Sequence, residues 1–179
     1  VYFVYSGEVM LYNLTKHGNR KVIFILGKGQ LLNQSIVSKK PNALFCEAVC
    51  PVKVIEIAEE QFLQLMEQSH ALTRAVLREY ERNLWRMGHQ LKNTTGNMQM
   101  ERKIAAKLWK LGRDFGVDTE DGVMIDIDLT ITLMADLVGA PRENVSRACK
   151  VLTDRGLIRY GNKRFILTDS DGLAEFYKM

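Results

Sequence analysis

Charged and hydroxyl side chains share one face of a predicted helix in the last third of the sequence. Arg142, Ser146 and Lys150 recur every four residues, and Glu143 and Arg147 form the adjacent row. Arginine can donate two hydrogen bonds to guanine, glutamate can accept one from cytosine, and serine can contact a base or a phosphate. An exposed helix stabilised by charge pairs is the alternative. The spacing favours a helix that reads bases in the major groove of DNA, with Arg142, Glu143, Ser146 and Arg147 as the readers.

The residues before this helix specify a tight turn between two helices. Thr130 can cap a first helix whose apolar side chains share one face. Gly139 stands where the turn needs a left-handed backbone, and Pro141 suits the first turn of the second helix, where its missing N–H is no loss. Ala135 is small where the two helices must cross closely. Together these signals predict a helix-turn-helix.

Positive charge is concentrated around this motif. Between positions 139 and 168 the sequence has seven Lys or Arg residues and two acids, whereas the net charge of all 179 residues is +4. A solvated basic face is the alternative to a phosphate-binding surface, because charge alone does not separate the two. We expect phosphate contacts from four residues. They are Thr130, Lys150, Lys163 and Arg164.

The segment from 99 to 179 has the order of elements typical of a winged helix. An amphipathic helix at 100–115 is followed by a polar loop at 118–122. A short strand is then predicted, because Ile125, Ile127 and Leu129 alternate with Asp126 and Asp128, which are expected to face solvent. After the two helices, apolar runs at 157–160 and 164–167 flank a glycine–asparagine turn and predict a β-hairpin.

An apolar stripe with a seven-residue period runs through the middle of the sequence. Leu77, Leu84 and Leu91 define it, with Tyr80 and Met87 at the intermediate positions. Such a stripe predicts a long helix that pairs with a second copy of itself. A helix lying on its own sheet is the alternative, but the length of the stripe favours a homodimer with these five residues as its seam. Five basic residues fall outside the stripe: Arg74, Arg78, Arg82, Arg86 and Lys92.

The first 58 residues consist of short apolar runs separated by glycine turns. This pattern predicts an antiparallel sandwich or barrel. Val1 begins inside an apparent strand, so we expect the first strands of this domain to be missing from the sequence. The fold class is therefore α+β, with residues 1–58 as an effector domain, 59–98 as helices that include the dimerisation helix, and 99–179 as the DNA-binding domain.

Several of these segments resemble the CRP/FNR family of bacterial transcription regulators. Two C-terminal motifs carry the resemblance: Arg142-Glu143-x-x-Ser146-Arg147 and Leu152-x-x-x-Gly156-Leu157-Ile158. Three N-terminal stretches are similar to parts of that family's sensor domain: Ser6-Gly7-Glu8-Val9, Gly18-Asn19-Arg20 and Gly27-Lys28-Gly29-Gln30-Leu31. The resemblance implies a jelly-roll-like β-roll of the cyclic-nucleotide-binding type, a long dimerisation helix and a winged helix-turn-helix. It also implies an effector-controlled homodimer on an inverted repeat in double-stranded DNA, and it leaves room for a contact with RNA polymerase.

The sequence departs from the pattern of the cyclic-nucleotide-binding members at two places. Those members use a Gly-Glu pair for the ribose and an Arg-Ser or Arg-Thr pair for the phosphate, where this sequence has Asn33-Gln34 and Asn42-Ala43. Without an arginine the phosphodiester lacks a bidentate partner, so another, unidentified effector is expected. Six residues are candidates for the lining of its pocket: Gln34, Leu44, Phe45, Tyr80, Asn83 and Leu84.

Other chemistry finds little support in the sequence. Cys46 and Cys50 fall near an apparent strand, where a buried structural role is favoured over a metal or redox site, and Cys149 is expected to pack inside the reading helix. The three histidines are dispersed, so no metal or cofactor is predicted. No nucleophile–base pair points to an enzyme.

No run approaches the ~20 apolar residues of a membrane span, and we expect a cytoplasmic protein. The competing function is a small-molecule or redox sensor that acts through protein–protein contacts, with the winged helix as a protein-binding module. A salt-dependent interaction with DNA would distinguish the two functions, since phosphate contacts release counterions.

Overall fold

The structure, a computed structural model, describes residues 1–16, 18–38, 40–94 and 98–178, without the side chains of residues 91–94. Contacts divide the chain into two units, Val1–Thr15 with Ile23–Thr95 and Lys16–Val22 with Gly96–Met179. Antiparallel sheets occur beside helices, which confirms the α+β class. The helices expected between 59 and 98 belong to the same unit as the first strands. The predicted boundary between an effector domain and these helices at residue 58 stays a prediction.

The first unit consists of short antiparallel strands followed by two helices. Its elements are β1 (Tyr2–Ser6), β2 (Val9–Leu14), β3 (Arg20–Leu26), β4 (Phe45–Ala48), β5 (Lys53–Glu56), α1 (Glu59–Gln68) and α2 (His70–Thr94). The first residues of β3, up to Val22, group with the second unit. Strand β1 pairs with β5, and β2 lies between β3 and β4. This arrangement agrees with the predicted antiparallel sandwich.

Two apolar clusters hold the first unit together. In one, Phe62 of α1 and Val76 of α2 pack with Leu31 and Ile36, so both helices are anchored to the strand region. The other lies among the strands and is formed by Leu11, Phe24 and Leu26. Burying each such side chain contributes on the order of 1.5–3 kcal/mol.

A break at Ser69 separates the two helices. Its backbone is extended, and its Oγ accepts a hydrogen bond from Leu72 N at 3.2 Å. Serine therefore caps the start of α2, as its preference for N-terminal positions predicts.

The second unit is a set of helices with a small antiparallel sheet. Its elements are α3 (Met100–Phe115), β6 (Gly116–Thr119), β7 (Gly122–Ile125), α4 (Ile131–Val138), α5 (Arg142–Asp154), β8 (Ile158–Gly161), β9 (Arg164–Leu167) and α6 (Ser170–Lys178). The strand order is β6-β7-β9-β8. Ile104 and Leu108 of α3, Val145 and Leu152 of α5 and Phe165 of β9 are almost fully buried. Among the described residues, none of the helices combines the length and apolar character that a membrane span requires.

The region between α3 and α4 differs from the prediction. A hairpin, β6–β7, replaces the polar loop at 118–122, and β7 ends at Ile125 instead of continuing to Leu129. Pairing explains the difference, because Val123 and Met124 bond to β9 far along the chain, whereas positions 126–129 pair with no strand. Burial still alternates there: Ile127 and Leu129 are inside and the two aspartates outside.

Candidate nucleic-acid interface

Helix α4 provides the support on which the candidate reading helix packs. Thr130 caps it, since its Oγ1 accepts a hydrogen bond from Leu133 N at 3.0 Å. Met134, Ala135 and Leu137 are buried, and Ala135 has the small side chain expected at a helix crossing. The predicted cap is present. Of the apolar face predicted from Ile131, Met134, Ala135 and Val138, the middle two are buried and the outer two half-buried, and Leu137 is buried as well.

The turn after α4 has the geometry that its glycine predicts. Gly139 has φ 69° and ψ 49°, a left-handed backbone, and its N–H donates to Ala135 O at 2.8 Å. Any side chain at this position would be strained. Pro141 then occupies the N-cap of α5 instead of its first turn, and its carbonyl accepts from Val145 N at 3.2 Å. The helix-turn-helix is therefore confirmed, with Pro141 one position earlier than expected.

Helix α5 separates an apolar face from a polar one. Its buried residues are Val145, Ala148, Cys149 and Leu152. All five residues of the predicted polar rows are exposed together: Arg142, Glu143, Ser146, Arg147 and Lys150. No side chain caps the helix start, so its first N–H groups are open to an anion.

The sequence interpretation overlooked a neighbour of Arg147. Arg147 Nη2 donates to Asn144 Oδ1 at 2.5 Å, one turn earlier in the same helix. The three-residue spacing was a readable signal, because side chains at i and i+3 are neighbours on a helix surface. The contact restricts where the guanidinium can point and leaves its other N–H groups for a ligand.

The hairpin after α5 exposes a lysine at its tip. Gly161 pairs with Arg164, and the two residues between them, Asn162 and Lys163, have φ values of 49° and 58°. Two successive positive φ values characterise the tight hairpin turn that follows the twist of its strands. The Lys163 side chain is exposed, and its carbonyl accepts from Leu129 N at 2.8 Å, which fixes the tip against the unit.

Arg164 is engaged in ion pairs within its own unit. Its Nη1 lies 3.5 Å from Asp126 Oδ1 and its Nη2 3.4 Å from Asp128 Oδ1. The two aspartates face solvent, as expected, and they neutralise a guanidinium that the sequence assigned to a phosphate. Of the four predicted phosphate contacts, Lys150 and Lys163 are exposed cations, Arg164 is half-buried in ion pairs, and Thr130 uses its oxygen to cap α4.

The predicted dimer seam divides between two faces of α2. Leu77, Leu84 and Met87 are exposed, Leu84 to 71%. Tyr80 instead packs inward against the cluster around Val76, and its burial raises the pKa of its hydroxyl. The seam assignment of Tyr80 is therefore corrected: the alternative of a helix lying on its own domain holds for this inner face. The side chain of Leu91 lies outside the described residues.

Two more residues of α2 differ from the sequence interpretation. Arg86, expected among the exposed basic residues, is only 8% exposed. Trp85, which was overlooked, is 60% exposed beside Leu84, and its ring centroid lies 3.7 Å from that of His89. The position of Trp85 directly after Leu84 of the apolar stripe was the signal in the sequence that could have identified it. The exposed apolar face of α2 thus comprises Leu77, Leu84, Trp85 and Met87.

The candidate effector residues are not all brought together. Gln34 closes its own loop: its Nε2 donates to Leu32 O at 3.0 Å, and its Oε1 accepts from Leu44 N at 3.1 Å. Its backbone N–H donates to Asn42 Oδ1 at 2.8 Å. The Tyr80 hydroxyl lies 3.5 Å from the carbonyl oxygen of Asn33, beside this loop.

The remaining candidates divide between buried and exposed positions. Asn83 is half-buried, and its Oδ1 is inaccessible to solvent with no hydrogen-bond partner. Phe45 is exposed and stacks on Tyr12 at 5.5 Å, and Leu84 belongs to the exposed face of α2. The lining is therefore corrected for Phe45 and Leu84, while Gln34, Leu44, Tyr80 and Asn83 remain candidates.

The three cysteines have different surroundings. Cys46 is exposed, so the predicted buried role is wrong for it. The Cys50 thiol donates to Glu8 Oε2 at 2.9 Å, and Cys149 is buried in α5, where desolvation raises its pKa to about 11. In the part of the chain that the structure describes, no three His, Cys, Asp or Glu side chains form a group suited to a metal ion.

Comparison with known domains assigns both units. Residues 1–69 match the model of the cyclic nucleotide-binding domain, and residues 102–176 match that of the Crp-like helix-turn-helix domain. A CRP-like cAMP-activated global transcriptional regulator of Mycobacterium tuberculosis is 25% identical over 175 residues, which cover 97% of this chain and 78% of that protein. The global nitrogen regulator of a Nostoc species is 25% identical over 167 residues, 92% of this chain and 74% of that protein.

Solved structures share the fold. FixK2 from Bradyrhizobium japonicum superposes with a TM-score of 0.81 at 19% identity, over 97% of this chain and 85% of that one. A CooA variant from Carboxydothermus hydrogenoformans superposes with a TM-score of 0.82 at 19% identity, over 98% of this chain and 78% of that one. The β-rich domain, the helices and the helix-turn-helix therefore recur together in other proteins.

Proposed function

We propose that this chain, which belongs to the CRP/FNR family of transcription regulators, reads a specific DNA sequence through the exposed face of α5. One observation carries the proposal. Arg142, Glu143, Ser146 and Arg147 are exposed together at the N-terminal half of a helix that follows a glycine turn. The N-terminal half of such a helix is the part that enters the major groove.

Within this face, Arg147 and Glu143 are the main base readers. An arginine bidentate to guanine and a glutamate accepting from the paired cytosine would read the same base pair from both sides. Arg142 shares its hydrogen bonds between base and phosphate, and Ser146 contacts a thymine or the backbone. Lys150 and Lys163 neutralise phosphates, since both are exposed and neither has an acidic partner among the described residues. Arg164 contributes less than either, because it is paired with two aspartates.

The functional form is a homodimer on an inverted repeat. The exposed face of α2 supports this, since Leu77, Leu84 and Trp85 are more than half exposed and a second copy would cover them. Two reading helices related by a two-fold axis then recognise half-sites about one helical turn apart, roughly 34 Å.

The effector is a small molecule other than a cyclic nucleotide. The side-chain amide of Gln34 is bonded to its own loop, and Asn42 Oδ1 accepts from Gln34 N. The positions Asn33, Gln34, Asn42 and Ala43 supply no cation for a phosphodiester. Asn83 Oδ1, buried and unpartnered on the inner side of α2, is a polar group that a bound effector could satisfy. The protein acts in the cytoplasm, where bound DNA brings it to RNA polymerase, and it has no enzymatic activity.

Selection of bound duplexes from a random DNA library tests the function. The full-length chain should enrich an inverted repeat, and its affinity should fall steeply as salt rises. A library from which no repeat emerges, or binding indifferent to salt, would favour the competing sensor that acts through protein contacts.

A further inference from the structure

A cavity of about 490 Å³ lies in the second unit, at the opposite end of α5 from the DNA-reading residues. The start of α3, the end of α5 and α6 border it as an open cleft. Arg155, at the C-cap of α5, is about 20 Å along the helix axis from Arg142, at 1.5 Å per residue. The volume falls within the range of small-molecule sites, roughly 300–1,000 Å³.

Two arginines give the cavity its polar character. Arg102 Nε is inaccessible to solvent and has no hydrogen-bond partner. The guanidinium carbon of Arg155 lies 4.9 Å from the ring centroid of Phe176, within cation–π distance. Neither arginine has an acidic partner within residues 98–178. Both side chains line the cavity, so an anion bound there would meet two guanidinium groups.

The rest of the lining defines the other part of the ligand. Met100, Val151 and Phe176 contribute an apolar wall, and Glu101 is the one acid among the lining residues. Two arginines against one glutamate leave a net charge of +1 around the cavity. A wholly polar ion would leave the apolar wall uncovered, and a neutral molecule would leave the arginines unpaired.

We propose that this cavity binds a small organic anion that joins a carboxylate or phosphate to an apolar or aromatic body. Arg102 and Arg155 hold the anionic group, and Phe176, Met100 and Val151 contact the body. Because the ligand touches both α3 and the end of α5, its binding stabilises the second unit. The lining includes none of the proposed DNA contacts and none of the effector candidates in the first unit.

Methionine-methyl NMR on the full-length chain tests the site, with phenyl phosphate and benzoate as probes. Met100 lines the cavity, and the other seven methionines are internal references. We expect a saturable shift of the Met100 methyl signal with a Kd of about 1 mM or tighter. Phenol and inorganic phosphate, which each carry half of the required chemistry, should bind at least about tenfold more weakly.

Arginine variants distinguish a built site from general attraction to positive charge. Arg102→Gln and Arg155→Gln should each weaken phenyl phosphate binding by about tenfold or more. Arg113→Gln is the matched control, because Arg113 also belongs to α3 and lies 5.0 Å over an aromatic ring, that of Trp109, yet does not line the cavity. It should leave the affinity unchanged, and circular dichroism verifies that each variant is folded.

Three results would overturn the proposal: a Met100 signal that neither probe moves, phenol binding as tightly as phenyl phosphate, or equal losses in all three variants. A short DNA duplex that moves the Met100 signal while both small anions fail would identify a DNA phosphate as the occupant instead. Preference between phenyl phosphate and benzoate decides which anionic group the site takes. None of these outcomes depends on sequence-specific DNA binding, so the two proposals can fail separately.

Discussion

At the residue scale, specificity in the proposed interface depends on which cations are already engaged. Arg147 is exposed and held by Asn144, whereas Arg164 is paired with Asp126 and Asp128 and Arg159 forms an ion pair with Asp121. The number of basic residues in the sequence therefore overstates the positive charge that is available to DNA. Arg142, Lys150 and Lys163, in contrast, are exposed and have no acidic partner among the described residues.

Removal of Arg147 should affect base preference. Arg147→Ala is expected to cost roughly 1–3 kcal/mol per half-site and to relax the preference at one base pair. Arg147→Lys is the matched variant, since it keeps the charge but cannot form the bidentate contact. Binding to the best site and to its single-base variants measures both. If Arg147→Ala retains the base preference, the reading face is assigned to the wrong residues.

Lys163 should contribute affinity without sequence preference. Lys163→Ala is expected to weaken binding to all sequences alike and to reduce the slope of log K against log salt by about one unit. Arg164→Ala should change this slope less, because two aspartates already neutralise Arg164. Titrations at several salt concentrations provide the comparison. Equal slopes for Lys163→Ala and the unsubstituted protein would exclude Lys163 as a phosphate contact.

Burial of Cys149 should make the free energy of unfolding depend on pH in the alkaline range. Burial raises its pKa from an ordinary value of 9.0 to about 11, so the unfolded thiol ionises first as pH rises. Unfolding then releases a proton, and the free energy of unfolding falls between about pH 9 and pH 11 by up to about 3 kcal/mol from this group. Below pH 9 the contribution is fully present. Cys149→Ala should show a smaller fall in urea denaturation, and an identical pH dependence would refute the assignment.

At the scale of the element, α2 has one face packed against its own unit and one exposed face. Val76 and Tyr80 anchor it to its own unit, while Leu77, Leu84 and Trp85 face away from that core. Helix α5 shows the same division, with Val145 and Leu152 buried and its charged rows outside. In both helices the buried face positions the element, and the exposed face is free for a partner.

Leu84→Asp should separate the proposed dimer. Removing one buried leucine from each protomer costs about 3 kcal/mol or more in total, at least a hundredfold in the dissociation constant. Val37→Asp is a matched control, because Val37 is also 71% exposed and lies outside the helices. Sedimentation at low micromolar concentration measures the state. A Leu84→Asp variant that remains dimeric would place the interface elsewhere.

At the scale of the molecule, two units carry separate tasks, each with its own core. The first resembles a cyclic nucleotide-binding domain in sequence, yet its loop at 32–44 is closed by Gln34 and Asn42. The second has the helix-turn-helix and a cavity of its own. The proposed effector candidates and the proposed base-reading residues thus lie in different units.

Cyclic AMP and cyclic GMP should not bind with micromolar affinity. The loop has no arginine for the phosphodiester, and the side-chain amide of Gln34 is already bonded to Leu32 and Leu44. Calorimetry on the full-length chain is the measurement, with the cAMP-activated relative from Mycobacterium tuberculosis as the positive control. Micromolar binding of either nucleotide would contradict the effector proposal.

The local part of this protein could be predicted from its sequence. Thr130 caps α4, and Gly139 makes the left-handed turn that ends it; both act over three or four residues. Ala135 supplies the small side chain at the crossing of two consecutive helices. The helix-turn-helix therefore follows from residue types and spacing. The exposed rows of α5 follow from the helical period in the same way. Interactions between residues close in sequence determine these features, whatever the arrangement of the rest of the chain.

What only the tertiary structure decided depends on contacts between distant residues. A seven-residue period cannot say which side of α2 meets its own core, so Tyr80 and Arg86 turned inward against expectation. Because β7 pairs with β9, the strand expected at 125–129 lies at 122–125 instead. Asp126 and Asp128, which follow it, form ion pairs with Arg164. Such contacts join positions tens of residues apart, where local propensity and spacing carry no information, because register and ion pairing are set by the packed core as a whole.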